Sequence, residues 1–124
     1  MFEVSVTGEF RARHQLRYRD GSTEAPHEHC WRVEVTYGGP QLGETGVLVD
    51  FGVIRSRLSD FVRTLEHQDL NDLPLFAARN PSAENVALAI AEHLPRGMPG
   101  GVHLKSVAVE EERGCVARYI PGAT

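Results

Sequence analysis

The first stretch of the chain alternates. Val4 and Val6 stand between polar neighbours, and Phe10, Ala12 and His14 share one parity while Arg11 and Arg13 share the other. Period two marks a strand with one buried face, because successive side chains point to opposite sides. The pattern predicts a strand over residues 2–14. Asp20-Gly21 and Pro26 punctuate residues 15–26 and make them a loop. A second strand is predicted over about residues 27–37, with His27, His29, Trp31, Val33 and Val35 on one face and Arg32, Glu34 and Thr36 on the other. Gly38-Gly39-Pro40 and Gly43 to Gly46 break this pattern, and a short apolar run leads to Asp50.

There the period changes. Phe51, Ile54, Leu58, Phe61, Val62 and Leu65 recur at steps of three and four, the stripe of an amphipathic helix. Asp50 is its N-cap by type and position, and the helix is expected to end near residues 65–67. Residues 74–80 read as loop. Pro81-Ser82-Ala83-Glu84 opens a second helix with a hydroxyl cap and an acidic first turn, Val86, Ala87, Ile90 and Leu94 form its buried stripe, and the Pro/Gly-rich residues 95–101 end it. Two strands, about 102–111 and 115–120, close the chain around Glu112-Arg113-Gly114. The order ββααββ, without repeat or linker, predicts a single α+β domain over residues 1–124. Its sheet is four-stranded and antiparallel, with both helices packed on one face.

Composition narrows the class. A chain of 124 residues can bury a core without staples. Hydrophobic content of 41% and charged content of 24% are those of an ordinary globular protein. A net charge of -4 and a pI near 5.8 exclude the basic footprint of a general nucleic-acid binder. No apolar run approaches the ~18 residues that span a bilayer, and residues 1–6 lack the basic and apolar regions of a signal peptide. Two cysteines, Cys30 and Cys115, do not make a disulfide scaffold. A reduced, cytoplasmic protein acting on neither membrane nor nucleic acid is expected.

The candidate chemistry lies in the histidines. His27 and His29 are two apart on one strand face and can converge on a single atom. Antiparallel pairing of the first two strands brings His14 opposite them. Three histidines on one face are a catalytic-type zinc set with an open fourth position. Cys30 has the other parity and points away. Glu111 shares the face of Val107 and Val109, although on residues alone it is also one of three adjacent strand-end acids. His67 suits a helix C-terminus, Ser82 and Glu84 suit capping, and Glu24 is a loop acid beside a proline.

The assembled motifs resemble the 6-pyruvoyl-tetrahydropterin synthase / 6-carboxy-tetrahydropterin synthase family over nearly the whole chain. They are Phe10-x-x-x-His14, His27-x-His29, Gly46-x-x-x-Asp50-Phe51, Leu65-x-His67-x-x-Leu70-Asn71, Asn80-Pro81-x-x-Glu84 and Val107-x-Val109-x-Glu111 followed by Tyr119. The resemblance implies a tunnelling fold in which the sheets of several subunits join into a barrel. The usual assembly is a hexamer of two trimers with active sites at subunit interfaces. It implies zinc held by His14, His27 and His29, a pterin anchored by Glu111, and His67 as a catalytic histidine. Ser82 and Glu84 fall in a motif near the pterin.

The match also departs from the family. Thr23 occupies the cysteine position four residues before His27, Glu66 replaces the aspartate before the catalytic histidine, and Glu28 replaces the glycine between the paired histidines. Glu24 gives Glu-x-x-His-x-His, which resembles a branch where glutamate takes the cysteine's place and the side chain of dihydroneopterin is cleaved to 6-hydroxymethyl-dihydropterin. The expected function is therefore a zinc-dependent pterin lyase acting on dihydroneopterin or its triphosphate, with Glu24, Glu66 and His67 as catalytic candidates. Alternatives are the queuosine-pathway synthase, or a zinc- and pterin- or purine-binding homologue without synthase activity. Arg11, Arg13, Arg17 and Arg19 are candidate triphosphate contacts.

Overall fold

The computed structural model describes residues 1–122. The chain runs β1 (Phe2–His14), β2 (His27–Gly39), α1 (Phe51–Val62), β3 (Gln68–Asp69), α2 (Ala83–Glu92), β4 (Gly97–Met98), β5 (Val102–Glu112) and β6 (Cys115–Tyr119). Two 3-10 turns, Leu70–Asp72 and Pro74–Phe76, lie between β3 and α2. The long strands pair antiparallel in the order β1-β2-β5-β6. Pairing of β1 with β2 is unbroken from Phe2↔Gly39 to His14↔His27.

Alternation then builds the core. Val6, Phe10 and Ala12 of β1, Trp31, Val33, Val35 and Tyr37 of β2, and Val107 and Val109 of β5 are buried on one face. Ile54, Leu58, Phe61 and Val62 of α1 and Val86, Ala87 and Ile90 of α2 are buried with them in one cluster. Each large aliphatic side chain buried there stabilises the fold by about 1.5–3 kcal/mol. The other sheet face is polar. There Arg32 bridges Glu9 at 3.7 Å and Glu110 at 3.9 Å, in exposed pairs that contribute little.

Caps set the helix starts as expected: Asp50 accepts from the amide of Gly52 at 2.8 Å, and the Ser82 hydroxyl accepts from that of Asn85 at 3.1 Å. The end of α1 differs. It stops at Val62, and residues 63–67 form turns that still bury Leu65. These turns drop the chain onto the free edge of β1, where the His67 amide donates to the carbonyl of Arg11 at 2.7 Å with His67 in the left-handed region (φ 59°). The predicted four-stranded antiparallel sheet gains two strands of two residues each. One is β3, parallel to β1 at Ala12 and Arg13; the other is β4, antiparallel to β5. Two residues are too few for a period to show. Strand two also runs on through Gly38 and Gly39, which pair with Glu3 and Phe2 of β1; the stem of Lys105 lies where a side chain at 38 would be, 2.8 Å from a Cβ to its Cε.

Among the described residues no helix is long and apolar enough to cross a membrane. Cys30 and Cys115 are both free and exposed.

Tyr37 closes the far end of the core, its hydroxyl donating to the carbonyl of Pro95 at 2.7 Å. Burial pushes its pKa up to about 12, against the opposing pull of Arg57 and Arg96. A phenol whose folded pKa is raised contributes stability that is complete below its unfolded pKa and is lost as pH climbs through the folded value. Stability should thus fall between about pH 10 and 12. Tyr37→Phe should lose about 1–2 kcal/mol at neutral pH and flatten that alkaline fall, as read by urea denaturation at several pH values.

Candidate metal centre

The register of β1 and β2 fixes three imidazoles on one face. His14 pairs with His27 and Ala12 with His29, so His14 faces both. Their rings meet edge to face, with centroids 4.4 Å apart for His14 and His27 and 4.6 Å for His27 and His29. The floor is Trp31, which stacks on Phe10 at 5.7 Å, lies edge-on to His14 at 4.8 Å and donates its indole N–H to the carbonyl of Ala12. A fourth group comes from β5. Between Glu110 and Glu112 the pairing with β6 slips by a bulge, and the residue left over is Glu111. Bulges re-aim side chains. Here Glu111 Oε1 comes within 3.0 Å of His14 Nε2.

One ligating atom from each of His14, His27, His29 and Glu111 lies within 4.8 Å of every other. Bonds of ~2.0–2.1 Å to a tetrahedral ion set such atoms ~3.3 Å apart, so the set closes by small side-chain rotations. The tautomers suit the task. His14 Nδ1 lies 2.7 Å from the carbonyl of Pro81 and His27 Nδ1 lies 2.9 Å from that of Ala25. Each nitrogen facing a carbonyl must donate, which leaves Nε2 of each ring with its lone pair free. The Nε2 atoms of His14 and His29 are buried and make no hydrogen bond among the described residues. Desolvation lowers the His14 pKa, against the opposing effects of the Pro81 hydrogen bond and Glu111, and the neighbouring His27 and His29 lower it further. A neutral lone pair facing a carboxylate at 3.0 Å wants a cation between them. The group can hold a metal ion.

The loop beside it is held by side chains standing in for strand neighbours. Asn71 accepts from the amide of Gln15 and donates to its carbonyl, both at 2.9 Å, and Asn80 does the same for Arg17 at 2.8 and 2.9 Å. Between them the amide of Leu16 donates to Glu24 Oε1 at 3.0 Å. That oxygen lies 3.9 Å from His27 Nε2. Thr23 is exposed, bridged to Arg17 by its backbone.

The model of the 6-pyruvoyl tetrahydropterin synthase family matches residues 3–121. The chain belongs to that family. Among its relatives, a 6-carboxy-5,6,7,8-tetrahydropterin synthase of Synechocystis is 34% identical over 116 residues, covering 89% of this chain and 86% of the relative. A dihydroneopterin monophosphate aldolase of Pyrococcus furiosus is 30% identical over 102 residues, 82% of each. The fold is that of the Caenorhabditis elegans 6-pyruvoyl tetrahydropterin synthase structure, with a TM-score of 0.82 at 22% identity over 98% of this chain and 96% of that one. The α+β fold expected from sequence, that of one subunit of the tunnelling type, is the fold observed, and pterin lyase chemistry of the tetrahydropterin synthase type is what these relatives point to.

The remaining candidates of this tetrahydropterin synthase relative fall in three places. Ser82 is committed to capping α2, and Glu84 is exposed in its first turn; neither reaches the metal group, although Pro81 next door orients His14. His67 and Glu66 stand on the outer edge of β1. Glu66 contacts His67 Nε2 at 3.2 Å and the Arg11 amide at 3.3 Å, and both line a hollow with Cys30 on the side away from the three histidines. Within one chain they do not meet the metal group. Of the arginines, Arg17 is occupied by the carbonyls of Phe76 and Arg79, and Arg11 pairs with Glu28 at 3.3 Å. Arg17, Asn71 and Asn80 are loop supports whose role no local pattern announces, though both asparagines stand in the matched motifs.

Metal-free protein titrated with zinc should bind one ion per chain. At a hundredfold excess over the dissociation constant the gain is about 2.7 kcal/mol, a rise in Tm of about 10 °C. His27→Ala should abolish the rise in scanning calorimetry and the stoichiometric metal in elemental analysis. An unchanged rise would overturn the assignment.

Proposed function

We propose that this protein is a zinc-dependent pterin lyase that cleaves the side chain of dihydroneopterin or of its phosphorylated forms, with a carboxylate as its proton carrier. One observation carries the reading: a second carboxylate, Glu24, stands 3.9 Å from His27 Nε2, while Cys30 lines a hollow on the opposite sheet face. The names of the relatives, a tetrahydropterin synthase and a dihydroneopterin phosphate aldolase, supply the substrate class.

On this reading His14, His27 and His29 hold zinc. The chemistry that zinc supplies when bound is Lewis-acid polarisation of a hydroxyl or carbonyl oxygen. Glu111 stands beside His14 and, once zinc takes the His14 lone pair, is left to accept two parallel hydrogen bonds from the pterin's amino and ring N–H donors, a pairing that suits a carboxylate. Glu24, fixed by the Leu16 amide, takes the proton of the 2′-hydroxyl. The bond between C1′ and C2′ breaks, C2′ leaves as an aldehyde, and the electron pair enters the conjugated ring. Glu24 returns the proton, C1′ is protonated, and 6-hydroxymethyl-dihydropterin results. Thr23 cannot fill this role, since its hydroxyl stays protonated at neutral pH without strong activation. Glu66 and His67 serve the site of a neighbouring copy, in keeping with the subunit-interface active sites that the family resemblance implies.

Zinc-loaded protein should convert dihydroneopterin or its phosphates to 6-hydroxymethyl-dihydropterin, identified by mass spectrometry. Glu24→Gln keeps an acceptor for Leu16 and should lower kcat by about 10²–10⁴ with zinc content unchanged. Full activity in that variant would refute the carboxylate mechanism, and 6-carboxy-tetrahydropterin as product would assign the synthase reaction. Pterin binding without turnover of any of these substrates would instead assign a binding homologue.

A further inference from the structure

A second charged feature lies at the other end of β5. A hollow of about 770 Å³ is lined by Arg96, His103, Lys105 and Tyr119, together with Leu104 and residues 120–122. Among the described residues no carboxylate lines it, in a chain whose net charge is -4. Among the described residues Arg96, His103 and Lys105 enter no ion pair, whereas Arg11, Arg32, Arg63 and Arg79 all do. Glu3 flanks Gly38 beside Lys105, and among the described residues the two form no ion pair.

Two of the cations are aimed by the backbone. The ladder between β2 and β5 shifts at Thr36/Tyr37, so that Ser106 and Leu104 find partners and Lys105 is the extra residue. The stem of Lys105 lies over Gly38, where any Cβ would stand 2.8 Å from its Cε. Arg96 sits 5.4 Å over the ring of Tyr119 and donates toward its hydroxyl at 3.5 Å, while the Arg96 carbonyl accepts from the amide of Leu104. A guanidinium held on a ring face loses less freedom on binding an anion.

We propose that this hollow binds a small phosphorylated anion, as a site separate from the metal centre. The volume, the oriented cations and a lining without acids among the described residues all fit phosphate oxygens, which pair with guanidinium and ammonium donors through charge-assisted bonds. Lys105 and Glu111 are six residues apart on one strand, ~20 Å at ~3.3 Å per residue, so an anion here is not the tail of a substrate seated at Glu111. The site needs a ligand of its own.

The test is titration of zinc-loaded protein with inorganic pyrophosphate, followed by amide chemical shifts. Saturable shifts are expected at residues 103–105 and 119–120, with none at His14, His27, His29 or Glu111. Lys105→Gln and Arg96→Gln, both on the surface, should each weaken binding by about tenfold or more. Pterin turnover in Lys105→Gln should be unchanged, so that failure here is distinguishable from failure of the lyase reading. Shifts confined to the metal centre, shifts spread over the surface without saturation, or undiminished affinity in the two variants would each overturn the proposal.

Discussion

Everything at the candidate metal centre depends on the register between β1 and β2. Side chains alternate with period two, so a slip of one residue would carry His27 and His29 to the polar face, where Cys30 now stands. Trp31 is what makes such a slip costly. It is fully buried, stacks on Phe10 of the neighbouring strand with the rings 4° from parallel, and gives its indole N–H to the carbonyl of Ala12. An aromatic side chain of that size carries the largest burial on this strand, and its cross-strand hydrogen bond can be made in one register only. The same ring lies edge-on to His14 and His29. Packing and ligand placement are therefore one interaction, and the histidines are oriented by the core they rest on.

The third long strand works by interruption. A β5 without the first bulge would keep the parity of Val102 and Leu104, and would turn Val107, Val109 and Glu111 to the polar face. The shift opposite Thr36/Tyr37 leaves Lys105 over Gly38, and the shift before Glu112 leaves Glu111 beside His14. Between them Val107 and Val109 stay buried. One strand thus presents an acid to three histidines at one end and a cation to a hollow lined by Arg96 and His103 at the other. Its apolar middle holds both ends in place.

Local signals decide how much of this is legible in the sequence. The long strands, the cap at Asp50, the cap at Ser82 and the shared face of His14, His27 and His29 all come from periodicity and residue type, and all are found. Strands β3 and β4 are two residues each and carry no period. Alternation puts Glu111 on the right face but cannot bring it to 3.0 Å from His14, since a bulge depends on how the partner strand is paired. The end of α1 departs from its pattern for a similar reason. Leu65 continues the apolar stripe and is buried, yet its burial comes from a turn that the Arg11 carbonyl draws onto the edge of β1. Asn71 and Asn80 act on backbone 56 and 63 residues away, a relation no local pattern contains.

The loop network bears directly on how a carboxylate could replace a thiol. A cysteine carries its reactivity in its own thiolate. A glutamate is a weaker base, and what it contributes must come chiefly from being held where the proton is. The structure around Glu24 meets that need. Its Oε1 is fixed by the Leu16 amide, and Leu16 lies between two residues whose backbones are clasped by Asn71 and Asn80. Asn80 is in turn held by Asn85 of α2, whose first turn follows the Pro81 carbonyl that orients His14. Glu24, its loop and the first histidine are referred to the same helix start. Their spacing is then a property of the fold, where a lone reactive side chain would have to carry the site by its own pKa.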